Sequence, residues 1–338
     1  MAAADVLQAA TPLARDAARW FARMARAPQD HADRGRFEAW LAASPAHAAE
    51  YARYAEVWDD FESSPRLERL TLGLEAKRAQ ERSQRLSRRG ALQATVLGLA
   101  TVGLGGLLGW RLWNERQSEP VLVMDRETRP AQLLEQSLPD GSKLTLAPDT
   151  RLAVRYYRDR REVQMDRGEA IFDVARDVER PFVVLSAPAC VTVLGTRFVV
   201  SQVSAERVRI SVLHGLVRVE QAASPQAQAS ASGVTLGAAE VAEVHAGQLP
   251  QRVMRRADDA VAWRQGTLVF DGDPLTDVAQ RLSRFSGMRV TAEGLAAHPA
   301  RITAVVQLRD AKAFLRSLPG IADVRVVDEL GGVRLVRP

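Results

Sequence analysis

Few side chains in this sequence have the type and the neighbours that catalysis or metal binding requires. Cys190 is the only cysteine among 338 residues, which excludes an intrachain disulfide and a cysteine metal cluster. The β-rich regions offer no Ser-His-Asp, Cys-His or paired-carboxylate set that exceeds coincidence. We therefore expect no cofactor and no metal, and we do not expect an enzyme.

The histidines and carboxylates occur in patterns that favour structural roles. His31 and His47 stand near predicted helix starts, and His214 precedes Gly215 in a predicted hairpin. Asp140-Gly141 predicts a turn. Four further carboxylates are interpreted as parts of a solvated β surface. These are Glu169, Asp173, Asp177 and Glu179.

The strongest structural signal is the apolar segment 90–113. No charge occurs from Ala91 to Trp110, and twenty helical residues at ~1.5 Å each span about 30 Å, the thickness of a bilayer's hydrocarbon core. About ninety residues precede the segment, which argues against a signal peptide. A soluble helix that is apolar on every face would need a large surrounding core. The sequence therefore predicts one transmembrane helix.

A basic linker at residues 77–89 precedes this predicted helix. The positive-inside rule places the N-terminal side in the cytoplasm. The whole chain has a formal net charge of +5. Because its densest basic run lies beside the membrane, anionic lipid explains that charge better than nucleic acid does, and we expect no direct binding of nucleic acid.

Residues 1–76 are rich in alanine and carry apolar side chains at helical spacing. They predict a small helical bundle, which is too slight for an enzyme but large enough to hold a partner. Trp20, Trp40 and Trp58 are interpreted as core residues, with a partner-binding face as the alternative.

The rest of the chain changes to a strand period. From about residue 120 to 250, apolar and polar residues alternate in short runs that recur every ten to twelve residues, which predicts an all-β sandwich or a solenoid-like stack. Residues 263–338 mix strands with two helices and predict a small α+β domain. An open sheet edge on such a domain can bind a partner by strand addition.

Several strings carry a family resemblance when they are taken together. They are LPDGSKLTL, RGEAIFDVARDVERPFVV, VTVLGTRFVV and WRQGTLVFDGDPLTDVAQRLSRFSG. In this order they resemble the FecR family of inner-membrane anti-sigma factors and cell-surface signalling regulators. RFEAWLAASPAHAAEYARYAEVW resembles the family's cytoplasmic anti-sigma module.

The resemblance implies a multidomain bitopic membrane protein. Residues 1–76 would be the cytoplasmic anti-sigma domain, 120–250 the periplasmic FecR β domain, and 263–338 an STN-like module of the kind found in secretins and TonB-dependent receptors. The protein would cross the inner membrane once, with its N-terminus in the cytoplasm and its C-terminus in the periplasm.

The resemblance also implies a signal relay. A TonB-dependent outer-membrane receptor, occupied by a ferric siderophore or haem, would present its signalling domain to the periplasmic C-terminal region. The cytoplasmic bundle would then release or activate an extracytoplasmic-function sigma factor, and an intramembrane protease is a further implied partner. The alternative is a bitopic scaffold or assembly component of an envelope export system, which the secretin-like tail suggests.

One chemical step follows from the resemblance. Some family members are cut at a Gly-Thr bond that matches Gly195-Thr196, by a nitrogen-to-oxygen acyl shift in which the threonine hydroxyl attacks the preceding carbonyl. Such a step needs a strained peptide and a hydroxyl held against the carbonyl carbon. The alternative is that Gly195 marks a bulge and Thr196 pairs in a strand.

Overall fold

The computed structural model describes residues 12–24, 32–62, 119–222, 233–295 and 299–337. Within these ranges no helix combines the length and the apolar character that a membrane crossing requires. The predicted transmembrane helix 90–113 and the basic linker 77–89 lie outside the described residues.

Three helices form the N-terminal bundle, as the apolar spacing predicts: α1 (Pro12–Met24), α2 (Arg34–Ala42) and α3 (Pro45–Glu62). Aromatic rings join them, with the Phe37 and Tyr51 centroids 4.8 Å apart and those of Trp20 and Trp40 6.4 Å apart. At the start of α3, the Ser44 hydroxyl accepts a hydrogen bond from the backbone N–H of Ala46, which is the capping role that Ser-Pro predicts.

The region predicted to be all-β folds as a sandwich of two seven-stranded sheets. The first sheet has the order β1-β4-β5-β7-β8-β11-β12, and the second has the order β14-β13-β10-β9-β6-β3-β2. The strands are β1 (Leu122–Glu127), β2 (Leu134–Ser137), β3 (Lys143–Leu146), β4 (Arg151–Tyr156), β5 (Arg161–Arg167), β6 (Glu169–Asp173), β7 (Phe182–Ser186), β8 (Ala189–Val193), β9 (Arg197–Ser204), β10 (Arg207–His214), β11 (Val217–Gln221), β12 (Val234–Leu236), β13 (Val241–His245) and β14 (Gln251–Val253).

Alternating apolar residues of both sheets meet in the core between them. Leu144 and Leu146 of β3 and Val154 of β4 are fully buried there. Phe172 of β6 stacks on Phe198 of β9, with ring centroids 5.1 Å apart. The alternation that the sequence shows is thus the alternation between core and outer face.

One strand pair departs from the predicted antiparallel pattern. β5 and β7 pair in parallel, from Arg161 opposite Phe182 to Gln164 opposite Leu185. The reason is that β6, which lies between them in the chain, belongs to the second sheet. The chain therefore leaves the first sheet after β5 and re-enters it in the same direction.

A 3-10 helix, Ala257–Gln265, leads into a small α+β unit. Its elements are β15 (Thr267–Pro274), α4 (Leu275–Ser286), β16 (Arg289–Ala292), β17 (Arg301–Gln307), α5 (Ala311–Ser317), β18 (Arg325–Glu329) and β19 (Gly332–Val336). We call the described part of residues 257–337 the C-terminal module. The predicted helices and strands are present. The strands form two sheets, β15-β17 and β16-β19-β18, because the chain changes sheet across α4.

Candidate functional site

The Gly195-Thr196 peptide lies in the short connection between β8 and β9, and hydrogen bonds hold the backbone on both sides of it. The backbone N–H of Asp177 donates to the Leu194 carbonyl at 2.8 Å, and that of Val174 donates to the Thr196 carbonyl at 2.9 Å. Thr196 is only 3% exposed, and its hydroxyl donates to the Leu216 carbonyl at 3.2 Å.

Close packing explains why residue 195 is glycine. A Cβ at this position would lie 2.6 Å from the Cα of Arg176, which is closer than real Cβ contacts allow. Gly195 does not adopt a positive φ angle. It also precedes β9, whose register shifts occur at Arg207/Val208 and Val212/His214 in the pairing with β10. The glycine thus marks a close approach of two backbone segments, and the structure contains no bulge at this residue.

His214 and Gly215 border the same peptide from the end of β10. Gly195, His214 and Gly215 line an open cavity of about 300 Å³, and Arg176 lies on its wall. Burial, together with the nearby charge of Arg53, lowers the pKa of His214 below its usual 6.5. The lowered pKa favours a neutral imidazole near the Gly195-Thr196 peptide, a neighbour that sequence spacing did not reveal.

Residues of α3 complete the wall of this cavity, because the helical bundle packs on the sandwich. Ala17, Ala18 and Phe21 share an apolar cluster with Leu216 and Ala238. This packing requires both regions on one side of a membrane. It can therefore exist only in a chain that has not inserted residues 90–113 into a bilayer, and it is an alternative to the single-pass arrangement.

A buried arginine organises the segment 174–181, which packs against Gly195. Arg161 has no exposed side-chain surface, and it donates to Asp140 at 2.6 Å, to the Ala175 carbonyl at 2.9 Å and to the Arg180 carbonyl at 2.8 Å. Since Ala175 lies inside that segment, Arg161 fixes the backbone that approaches Gly195.

Asp140 is the counter-ion in this arrangement as well as the turn residue that the sequence predicts. It also accepts hydrogen bonds from the hydroxyls of Ser142 at 2.6 Å and Tyr156 at 2.8 Å. Burial alone would raise the pKa of Asp140, but the hydrogen bonds from Ser142, Arg161 and Tyr156 outweigh it and lower that pKa.

The expectation of a solvated acidic surface is wrong for Glu169. Its side chain is 1% exposed, and its Oε1 accepts hydrogen bonds from the Trp263 indole at 3.0 Å and from Arg281 at 3.3 Å. The alternation of residues in β6 correctly predicted that the Glu169 side chain points away from the sandwich core. The C-terminal module covers the outer face of the second sheet and buries it.

Ion pairs join the same face to the C-terminal module. Arg209 of β10 lies between Glu243 and Asp273, at 2.8 Å and 3.2 Å, and Arg255 also binds Asp273, at 2.8 Å. Burial would raise the pKa of Asp273, but the charges of Arg209 and Arg255 outweigh it and lower that pKa. A second pair, Arg207 with Asp277 of α4, lies beside this network.

The hydrogen bonds and close contacts around Gly195 and Thr196 hold this peptide in one position. The described side chains around it do not form a set of metal ligands. Across the ranges that the structure describes, His, Cys, Asp and Glu side chains nowhere gather in groups of three that would hold a metal ion.

Comparisons with known proteins agree with the motifs. Residues 125–218 match the family described as "FecR protein", and residues 15–57 match "Domain of unknown function (DUF4880)". No curated protein matches the chain.

Two similar solved structures, at 2.50 Å and 1.65 Å resolution, are of "a putative anti-sigma factor from Parabacteroides distasonis ATCC 8503". Both are 25% identical to this chain and cover 64% of it. The TM-scores are 0.56 and 0.55, and 100% and 99% of the solved chains are covered. The resemblance predicted from the motifs is confirmed, because residues 125–218 match the FecR family.

Proposed function

We propose that this protein is a transmembrane anti-sigma factor that relays a periplasmic signal to an extracytoplasmic-function sigma factor. The observation that carries the proposal is the FecR-family domain at residues 125–218, together with the similarity of 64% of the chain to an anti-sigma factor structure. The apolar segment 90–113 supports the transmembrane arrangement, with the bundle in the cytoplasm and the FecR domain in the periplasm.

The helical bundle offers an aromatic surface for the sigma factor. Trp20 and Trp40 are both half-buried, so neither is a pure core residue, and the His47 ring stacks on Trp40 with centroids 4.5 Å apart. The guanidinium of Arg23 lies 5.6 Å from the Trp20 ring centroid. Tryptophan and arginine dominate the binding energy of many protein interfaces, and here they lie side by side.

On the periplasmic side, the proposed partner is the signalling domain of a TonB-dependent outer-membrane receptor that carries a ferric siderophore or haem. Within the described residues, β17 pairs with β15 alone, which leaves its other edge open. Val305 on this strand is 69% exposed. An open edge with an exposed apolar side chain suits strand addition by a partner.

We also propose that the chain cuts itself at Gly195-Thr196, after which an intramembrane protease acts on the membrane-bound part. The Thr196 hydroxyl adds to the Gly195 carbonyl carbon, the peptide C–N bond breaks, and the nitrogen takes up the hydroxyl proton. This leaves an ester between Gly195 and Thr196 Oγ1. One water molecule then hydrolyses the ester, which gives a Gly195 carboxylate and a Thr196 with a free amine and hydroxyl. In the single-pass arrangement α3 is absent from the wall beside Gly195, which gives that water access.

Affinity capture tests the anti-sigma function. The full tagged chain is expressed in its native host, solubilised in detergent and analysed by mass spectrometry. We expect near-stoichiometric capture of one alternative sigma factor, and the double variant Trp20→Ala, Trp40→Ala should reduce that capture at least about tenfold. Arg126→Ala, on the sandwich, is the matched control and should leave capture unchanged.

Loss of the sigma factor from every capture would contradict this function, provided that a known anti-sigma factor captures its own partner under the same conditions. Recovery of envelope export components in its place would favour the scaffold alternative.

A further inference from the structure

Three neighbouring strands of the second sheet connect the C-terminal module to the Gly195-Thr196 peptide. They lie side by side in the order β10-β9-β6. Each of the three strands contacts the C-terminal module through at least one side chain. The C-terminal ends of β6 and β10 and the N-terminal end of β9 lie at one end of the sheet, because β9 runs antiparallel to both. The scissile peptide lies at that end.

β6 and β9 make the first two connections. Glu169 of β6 binds Trp263 of the module, and β6 runs directly into Val174, whose N–H holds the Thr196 carbonyl. Val199 of β9 packs in the apolar cluster of Trp263, and β9 begins one residue after Thr196.

β10 makes the third connection, and it is the most strongly charged. Arg207 pairs with Asp277 of α4, and Arg209 pairs with Asp273 of β15. All four side chains are largely buried, so each charge depends on its partner for the solvation that water would otherwise supply.

The far end of β10 touches the scissile peptide. After His214 the chain turns at Gly215, where a Cβ would lie 2.6 Å from the Thr196 Cγ2 and 3.3 Å from the Gly195 carbonyl oxygen. With so little clearance, a small movement of β10 changes the position of the Thr196 hydroxyl relative to the carbonyl that it attacks.

We propose that Arg207 and Arg209 are positioning residues for scission at Gly195-Thr196, and that docking of the C-terminal module controls the rate of that scission. This inference rests on the proposed self-cleavage. The ion pairs hold β10 against the module, and β10 holds Gly215 against Thr196. A receptor domain that pulls on the module would therefore alter scission without touching the cut bond.

A charge-swap cycle on the full chain tests this inference. Arg207→Asp, Asp277→Arg and the double variant are pulse-labelled in native membranes, and the cut fraction is followed with a C-terminal tag. Each single variant should slow scission about tenfold because it leaves like charges together, and the double variant should restore the rate to within about twofold. Single variants that are cut at the wild-type rate would overturn the inference. So would a double variant that regains thermal stability while scission stays slow.

A matched cycle on the other sheet separates positioning from general stability. Arg218 and Glu220 of β11 form an ion pair of 2.8 Å, and Arg218→Asp with Glu220→Arg should leave scission unchanged at every step. If the Arg218 and Glu220 variants slowed scission as much as the Arg207 and Asp277 variants do, the inference would also be overturned. If the wild-type chain stays whole in its host, both the self-cleavage and this inference fail, while the sigma-factor capture still decides the anti-sigma function separately.

Discussion

Gly215 and Thr196 are packed so closely that no side chain fits on the glycine. Gly215 also adopts a φ of +88°, which L side chains rarely take. The residue therefore serves two purposes, since it makes the turn after β10 and forms the wall against which Thr196 rests.

Gly215→Ala should destabilise the sandwich by roughly 2–4 kcal/mol, through the strained φ and the clash with Thr196. Gly247 is the matched control, because it has a φ of +76° and open space around its Cα. Gly247→Ala should cost only about 1–2 kcal/mol, from the backbone alone. Denaturant unfolding in detergent measures both. Equal losses would show that the contact with Thr196 contributes nothing.

Arg161→Met should destabilise the protein by about 3–5 kcal/mol, because it leaves the Asp140 carboxylate buried without its cation. Arg218→Met, on a more exposed pair of the same sheet, should cost about 0–1 kcal/mol. Unfolding midpoints of the two variants test the difference. If Arg161→Met lost less stability than Arg218→Met, other groups would have to stabilise the buried Asp140 carboxylate.

Stability should fall in acid through three carboxylates. The pKa values of Asp140 and Asp273 lie below 3.8, and that of Glu243 lies below 4.5, in the folded chain. A lowered folded pKa stabilises the fold above the ordinary pKa, and this contribution is lost as the pH falls through the folded value. Melting between pH 7 and pH 2.5 should show the decline below about pH 4. Asp140→Asn should lower the melting temperature at pH 7 and make it fall less steeply below about pH 4. An unchanged dependence of the melting temperature on pH would refute the role of Asp140.

Thr196→Val should abolish scission and leave one full-length band, because it removes the attacking oxygen while keeping the side chain's shape. Thr196→Ser retains a hydroxyl and should still be cut. Immunoblots against both termini report the fragments. Two fragments from the Val variant would exclude the acyl-shift mechanism and point to an external protease.

Cysteine labelling should separate the two arrangements of the helical bundle. In a Cys190→Ser background, Asp16→Cys on α1 and Val305→Cys on β17 supply exposed reporter sites. A membrane-impermeant maleimide should label only the Val305 site until the cells are lysed. Equal labelling of both sites in intact cells with a permeabilised outer membrane would contradict the single-pass topology and favour packing of α1 on the sandwich.

The sequence predicted those features that depend on periodicity. Leu275, Val278, Leu282 and Phe285 recur at helical spacing, and all four are buried on one face of α4. That helix ends at Gly287, whose φ of +70° forms the cap that the sequence indicates.

The sequence did not predict which surface residues are buried by distant parts of the chain. The pattern of β6 showed correctly that Glu169 points away from the sandwich core, but a period cannot show that Trp263, 94 residues later, lies on top of it. Arg161 escaped for a related reason. Nothing in its local sequence distinguishes a buried arginine from the exposed ones around it, because its partners come from the 138–142 turn and the 174–181 segment.

The excursion of β6 into the second sheet has a consequence for how the sandwich can fold. β5 and β7 pair in parallel while the residues between them pair in the other sheet, so the first sheet cannot be completed as an independent hairpin stack. Because such non-local pairings must wait for the closure of longer loops, they slow folding compared with a chain of simple hairpins. The chain thus links the two sheets through its path, and we expect neither half of the sandwich to fold independently of the other.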